Sequence, residues 1–212
     1  MLNILFGRIS KLFMGSLNNA TPLQLDNALW EYLLVAYPSK DVSDKIVAEK
    51  EIFYKKNEDK LPIKTRPHIT IATFFAKQRM EQTLGRWIQN ICNLQNSFTV
   101  ALNNYSGFPP SALYVRVQTT EPFKKLANAL KILDGFMESN DCPALKVVHH
   151  PHITFITGLS EYCFNNVMRE YGQKTFHESF KVDRLILLKK DDEMRCDLIN
   201  TFILPPPLAL FD

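Results

Sequence analysis

One short phrase occurs twice in this chain and constrains everything around it. Arg66-Pro67-His68-Ile69-Thr70-Ile71-Ala72-Thr73 returns, altered, as His150-Pro151-His152-Ile153-Thr154-Phe155-Ile156-Thr157. Pro-His-Ile-Thr is unchanged between the copies, and two of the chain's five histidines hold the same place in it. Both copies are rich in β-branched and aromatic residues, so each predicts a strand. Side chains alternate faces along a strand. His68 and Thr70 therefore point one way, as do His152 and Thr154, while Ile69 and Ile153 point into a core.

The surroundings of the phrase repeat as well. Residues 31–37 predict a strand, and the turn at Pro38-Ser39-Lys40-Asp41 leads into a helix through the early fifties. Residues 55–65 are charged, carry Pro62 and read as a loop before the first histidine strand. Met80, Leu84, Trp87, Ile88 and Ile91 give a helix over 78–93. In the second half, residues 98–105 and 112–118 predict strands around a turn at Gly107-Phe108-Pro109-Pro110. Thr120-Glu121-Pro122 starts one long helix with the stripe Phe123, Leu126, Leu130, Leu133 and Met137. The second histidine strand, a helix over 160–171 and a hairpin of 180–189 with 195–204, turning at Asp191-Asp192, complete the chain. Trp30 and Trp87 read as core residues.

Strand, helix, histidine strand, helix thus occurs twice. Two such halves about a pseudo-twofold axis bring the histidine strands together. The expected class is α+β: a bilobal fold of two antiparallel-rich sheets flanked by helices, with a central cleft. Residues 31–204 form the single bilobal domain, 1–30 an N-terminal helical extension and 205–212 a tail.

Composition excludes several other classes. At 212 residues, with 46% hydrophobic and 22% charged residues, the chain suits an ordinary soluble domain. A net charge of +3 accommodates a small anionic substrate, without the charge density of a protein that coats duplex DNA. The four cysteines are scattered, with no paired motif, as in a reducing compartment. No run of about 18 apolar residues predicts a membrane span. Leu2, Leu5, Phe6, Ile9, Leu12 and Phe13 follow helical spacing with Arg8 and Lys11 between them. That segment is read as a helix packed on the domain, an extension upstream of a start at Met14, a weak membrane-surface helix, or a partner-binding element.

Two histidines with two hydroxyls on one open face are the apparatus of general acid–base catalysis. One neutral ring takes a proton while one protonated ring gives one. Threonine hydroxyls can donate to an anion between the rings. A phosphodiester needs all three services and requires no metal or other cofactor. His149, His150 and His152 raise the alternative of a metal site, but neighbouring strand residues face opposite ways and no carboxylate or cysteine cluster completes a shell.

The paired His-x-Thr strands in a bilobal α+β chain of this length resemble the 2H phosphoesterase superfamily, above all its bacterial 2′-5′ RNA ligase and cyclic phosphodiesterase members. The resemblance covers roughly residues 30–204 and departs from the common pattern at Phe74-Phe75. It implies that His68 and His152 are the acid–base pair, with His152 the base and His68 the acid, and that Thr70 and Thr154 bind the phosphate. It implies substrates with 2′,3′-cyclic phosphate or 2′-5′ linkages in RNA or nucleotides. Hydrolysis, reversible ligation and an RNA-end-binding module with little turnover stay open.

Three further residues are candidates for substrate binding. Arg66 and His150 lie two positions before the catalytic histidines and, by alternation, on the same face. Arg66 is either a phosphate ligand or a solvated loop charge. Tyr114 shares a strand face with Arg116 and is either a platform for a base or an edge-of-core tyrosine. The expected protein is a cytoplasmic monomer acting on RNA ends or cyclic nucleotides.

Overall fold

The computed structural model describes residues 27–56, 66–191 and 195–207. The helix expected over residues 2–13, most of the 55–65 loop, Asp192 of the hairpin turn and the end of the C-terminal tail lie outside the described residues. In chain order the elements are β1 (Leu29–Ala36), α1 (Lys40–Lys56), β2 (Ile69–Lys77), α2 (Glu81–Asn93), β3 (Phe98–Phe108), β4 (Ala112–Val117), α3 (Glu121–Leu130), α4 (Asp134–Glu138), β5 (Lys146–Val147), β6 (His152–Ile156), α5 (Glu161–Tyr171), β7 (His177–Val182), β8 (Arg184–Lys190) and β9 (Cys196–Ile203). Among these described residues no helix is long and apolar enough to cross a membrane.

Local chemistry explains where the helices start. Pro122 sits in the first turn of α3, where a missing N–H is harmless. The Ser160 hydroxyl caps α5 by accepting from the Cys163 N–H at 3.3 Å. The long helix expected after Thr120 is divided into α3 and α4 by a 3-10 turn at Lys131–Leu133, yet its stripe of Phe123, Leu126, Leu130, Leu133 and Met137 stays buried throughout.

All strand pairings are antiparallel, in the order β7-β3-β4-β6-β2-β1-β8-β9, with β5 beside β2. The halves expected from the repeat are therefore β2-β1-β8-β9 and β6-β4-β3-β7, back to back on the two histidine strands. A single pair, Ile69 with Ile153, joins them into one sheet.

That sheet curls. Only Asp183 separates β7, at one edge, from β8, near the other. The sequence reads residues 180–189 as one strand because their hydrophobic pattern is continuous. In the fold the run is cut at Asp183, whose carbonyl accepts from Leu204 N at 2.8 Å, and its two parts serve different halves. Ser97 N donates to Pro205 O at 2.7 Å, tying the start of β3 to the end of β9.

The helices cover the outer face with an exchange between halves. α1 leaves β1 and packs on β6 and β7, whereas α3 leaves β4 and packs on β2. α2 lies on β9, and α5 on β3 and β4. Tyr32, Leu34, Phe74, Ile88, Val115, Phe123, Phe155 and Phe202 are buried in the core between sheet and helices. Gly107 allows the close approach of α5: a Cβ there would lie 2.7 Å from the Phe164 ring and 2.9 Å from Met168 Sδ. Trp30 is partly buried against the core, but Trp87 is 39% exposed and leans on Phe136 with ring centres 5.4 Å apart. The amphipathic spacing of α2 puts Trp87 at the border of its buried stripe rather than within it.

Candidate functional site

The site is built on the Ile69–Ile153 pair. One step to either side of it, the antiparallel register sets Thr70 across from His152 and His68 across from Thr154. Ile69, Ile71, Ile153 and Phe155 are buried on the helix side. His68, Thr70 and His152 are half-buried and Thr154 is exposed on the opposite, open face. Alternation thus places all four residues as their sequence phase predicts.

Both imidazoles are held in the same way. Nδ1 of His68 lies 2.8 Å from the Arg66 carbonyl oxygen, and Nδ1 of His152 lies 2.7 Å from the His150 carbonyl oxygen. A carbonyl oxygen can only accept, so Nδ1 carries the hydrogen in each ring and Nε2 is the working nitrogen. A neutral ring then offers a lone pair at Nε2, and a protonated ring offers an N–H. The buried prolines Pro67 and Pro151 fix the bend that brings each carbonyl back to its imidazole. The hydroxyls of Thr70 and Thr154 make no hydrogen bond among the described residues, which leaves both free to donate.

The surroundings of the two histidines differ. Tyr37 stands edge-on to His68, with centroids 6.3 Å apart, and carries the Arg66 guanidinium 4.0 Å above its ring. Val35, paired with Thr70, shares the open face with Ile186 and Leu188, and these form a small apolar cluster with Leu33 and Tyr37. In the other half, Tyr114 pairs with Thr154 and Arg116 with His152. Phe108 stacks on Tyr114 with centroids 4.4 Å apart and meets His152 edge-on at 4.9 Å. Arg116 is steadied by donation from Nε to Asn103 O at 3.1 Å.

Electrostatics separate the rings as well. Burial lowers the proton affinity of His68. The bond to the Arg66 carbonyl opposes this, and the charges of Lys50 and His152 lower the affinity further.

Of the residues singled out by sequence, His68, Thr70, His152, Thr154 and Tyr114 come together on one face. Arg66 and His150 present their carbonyls to the site, while the Arg66 side chain lies over Tyr37 and His150 is exposed. Sequence reasoning passed over Tyr37 and Phe108, and it named Arg116 only as a neighbour of Tyr114 on its strand face. Phe108 belonged to a predicted turn, and only the extension of β3 to that residue puts it beside Tyr114. Among the described residues no group of three or more histidine, cysteine, aspartate or glutamate side chains is arranged to hold a metal ion.

Comparison with known proteins gives consistent answers. The model of the 2′-5′ RNA ligase superfamily matches residues 40–193. A Bacillus cytotoxicus protein named "Putative phosphoesterase" is 25% identical over 172 residues, which cover 80% of this chain and 94% of the relative. A Staphylococcus aureus protein of the same name is 26% identical over 173 residues, covering 80% and 96%. The crystal structure of Escherichia coli LigT complexed with 3′-AMP superposes with a TM-score of 0.65 at 16% identity, over 84% of this chain and 99% of that one. At such identity the likeness is one of fold, and it includes the curled antiparallel sheet.

Proposed function

We infer the activity from one premise: this chain belongs to the 2′-5′ RNA ligase superfamily. We propose that it is a phosphodiesterase acting without a metal on 2′,3′-cyclic phosphates or 2′-5′ linkages of RNA ends and nucleotides. The observation that carries this reading is the matched tether of the two rings. Each Nδ1 is tied to a carbonyl, each Nε2 is open, and an unbonded threonine hydroxyl stands beside each.

On a 2′,3′-cyclic phosphate the chemistry runs as follows. His68 Nε2 takes a proton from water as its oxygen bonds to phosphorus. The bond from phosphorus to the 3′ oxygen breaks, and His152 Nε2–H protonates that oxygen, leaving a 2′-phosphate. Thr70 and Thr154 donate to the non-bridging oxygens as charge builds on them, with the Arg116 guanidinium alongside. The resemblance implied the opposite division of labour. The lowered proton affinity of His68 favours this one, since a base must be neutral to act. With a 5′ hydroxyl in place of water, the same steps bond the 5′ oxygen to phosphorus as the bond to the 3′ oxygen breaks and that oxygen is protonated, so 2′-5′ ligation needs no further residue.

A base needs a stacking surface. One face of Tyr114 is taken by Phe108, which is itself 42% exposed. We therefore assign the platform to the outer face of Phe108, with Tyr114 as its support.

The test is a panel of 2′,3′-cyclic nucleotides, 2′-5′ dinucleotides and 3′-5′ dinucleotides, with products identified and chelator added. Turnover of the first two that survives chelation is expected. Binding without turnover would leave an RNA-end-binding module. Loss on chelation, restored by one divalent metal, would overturn the scheme.

A further inference from the structure

The two halves present different open faces to the site. Val35 and Tyr114 are counterparts about the pseudo-twofold axis, since each pairs with the threonine of its half. Around Val35 the face is apolar: Ile186 and Leu188 are buried with it, and Leu33 and Tyr37 pack against them. The cations beside it are engaged. Lys190 pairs with Glu31 at 3.0 Å, Arg184 with Asp183 at 2.8 Å, and the Arg66 guanidinium lies over Tyr37.

Beyond Tyr114 the face is polar. Phe180 and Val182 of β7 are buried in the core, so alternation turns His177, Ser179 and Lys181 the other way, where all three are exposed. The register leads from them back to the site. Lys181 pairs with Thr99, and His177 pairs with Asn103, whose carbonyl accepts from Arg116; Arg116 in turn pairs with His152. Glu178 is the one acidic residue in β6, β4, β3 and β7, and it faces α1, pairing with Lys45 at 2.5 Å. Among the described residues no carboxylate forms an ion pair with Arg116, His177 or Lys181.

We propose that this polar face is the track of a single-stranded oligoribonucleotide whose 3′ end, closed as a 2′,3′-cyclic phosphate, is seated between the histidines, and that the apolar face opposite takes no second strand. This rests on the reading of His68 and His152 as an acid–base pair, and within that reading it selects terminal cyclic phosphates over internal 2′-5′ linkages.

Charge and spacing identify the occupant. Adjacent strands lie about 4.8 Å apart, so β7 stands roughly 14 Å from β6, and Lys181 lies about 13 Å farther along β7 than His177. One nucleotide held at His152 does not span that distance, whereas a chain leaving through the 5′ oxygen of the terminal nucleoside does. Arg116 and Lys181 supply charge for its phosphates, with the ring N–H of His177 and the hydroxyls of Ser179 and Thr99 as donors between them. Contacts of this kind go to phosphate and sugar, so they hold any sequence. Two cations spread over three strands fall short of a duplex-binding surface. The apolar face offers a polyanion nothing in place of its lost hydration, so nucleotides on both sides of the scissile phosphate are not accommodated.

The experiment has two arms. In the first, a 5′-fluorescein hexaribonucleotide ending in a 3′-phosphate is titrated by anisotropy with the full chain and with Lys181→Ala, Lys181→Glu and Lys181→Arg, between 50 and 200 mM salt. This arm reads binding alone and does not depend on turnover. With two phosphates neutralised, affinity should fall roughly sevenfold over that range, and with one, in Lys181→Ala, only about threefold. The Glu variant should bind more weakly still, and the Arg variant should match the wild type. An unchanged salt dependence in Lys181→Ala, or wild-type binding by the Glu variant, would overturn the track. The second arm compares kcat/KM for a hexamer ending in a 2′,3′-cyclic phosphate, the matching cyclic mononucleotide and a hexamer with one central 2′-5′ linkage. The cyclic hexamer should lead, and Lys181→Ala should narrow its lead over the mononucleotide. Equal turnover of the internal linkage would overturn the one-sided seating. Turnover of none of the three would overturn the activity reading, and the first arm would still decide the track.

Discussion

Ile69 and Ile153 face each other across the one backbone pair that joins β2 to β6, and neither side chain is exposed. The relative placement of two histidines and two threonines depends on that contact. Trimming Ile153 to Ala removes buried methyl groups at the seam of the sheet. It should cost about 2–5 kcal/mol, against about 0.5–1.5 kcal/mol for Ile153→Val. Denaturant unfolding checks this, and an Ala variant as stable as the Val variant would show that the seam is not the packed junction described.

The threonines should behave as donors to a developing charge. Thr70→Val and Thr154→Val preserve shape and lose the hydroxyl. Each should lower kcat by roughly 10²–10³-fold with little change in stability, as for a lost oxyanion donor. Steady-state kinetics on a 2′,3′-cyclic nucleotide would show this. Near-full activity in either variant would make that hydroxyl structural.

His68 should also leave a mark on stability. Its folded proton affinity lies below the unfolded value, near pH 6.5. The unfolded chain then binds the proton more readily. This contribution to stability is full above about pH 6.5 and is lost as the pH falls through the folded value. Denaturation midpoints at about pH 7.5 and pH 5 should therefore differ more in the wild type than in His68→Gln. An equal difference would mean that His68 titrates as it does in the unfolded chain.

Phe108 should govern affinity. Phe108→Ala removes a stacking surface worth about 1–3 kcal/mol per base. KM for a cyclic nucleotide should rise by roughly tenfold or more, with kcat less affected, and Phe108→Tyr should restore it. A change in kcat alone would place Phe108 with the orientation of His152, which it touches edge-on.

Much of the site was legible because strand alternation is local. The phase of His68, Thr70, His152 and Thr154 follows from two identical phrases and a period of two. The inward stripes of α2, α3 and α5 follow likewise from helical spacing. What was not legible depends on partners far away in sequence. The division at Asp183 is invisible in a run of strand-forming residues, because only the curl of the sheet sends β7 and β8 to different halves. β5 has two residues and is defined only by its pairing with Ala72 and Thr73 of β2, beyond the single Ile69–Ile153 pair. Phe108 reads as part of a proline turn until β3 is seen to pair it with Ala112.

The most direct test of the paired-histidine account is the rate of 2′,3′-cyclic nucleotide hydrolysis by wild type, His68→Ala, His152→Ala and the double variant. A matched substrate with a good leaving group is run beside it. Each single replacement should lower turnover by roughly 10²–10⁴-fold. The double variant should be far less impaired than the product of the singles, because the two rings act as a unit. The good leaving group, which needs no proton, should rescue His152→Ala and not His68→Ala. Near-wild-type turnover in either folded single variant would contradict the account, and rescue of His68→Ala alone would reverse the two roles.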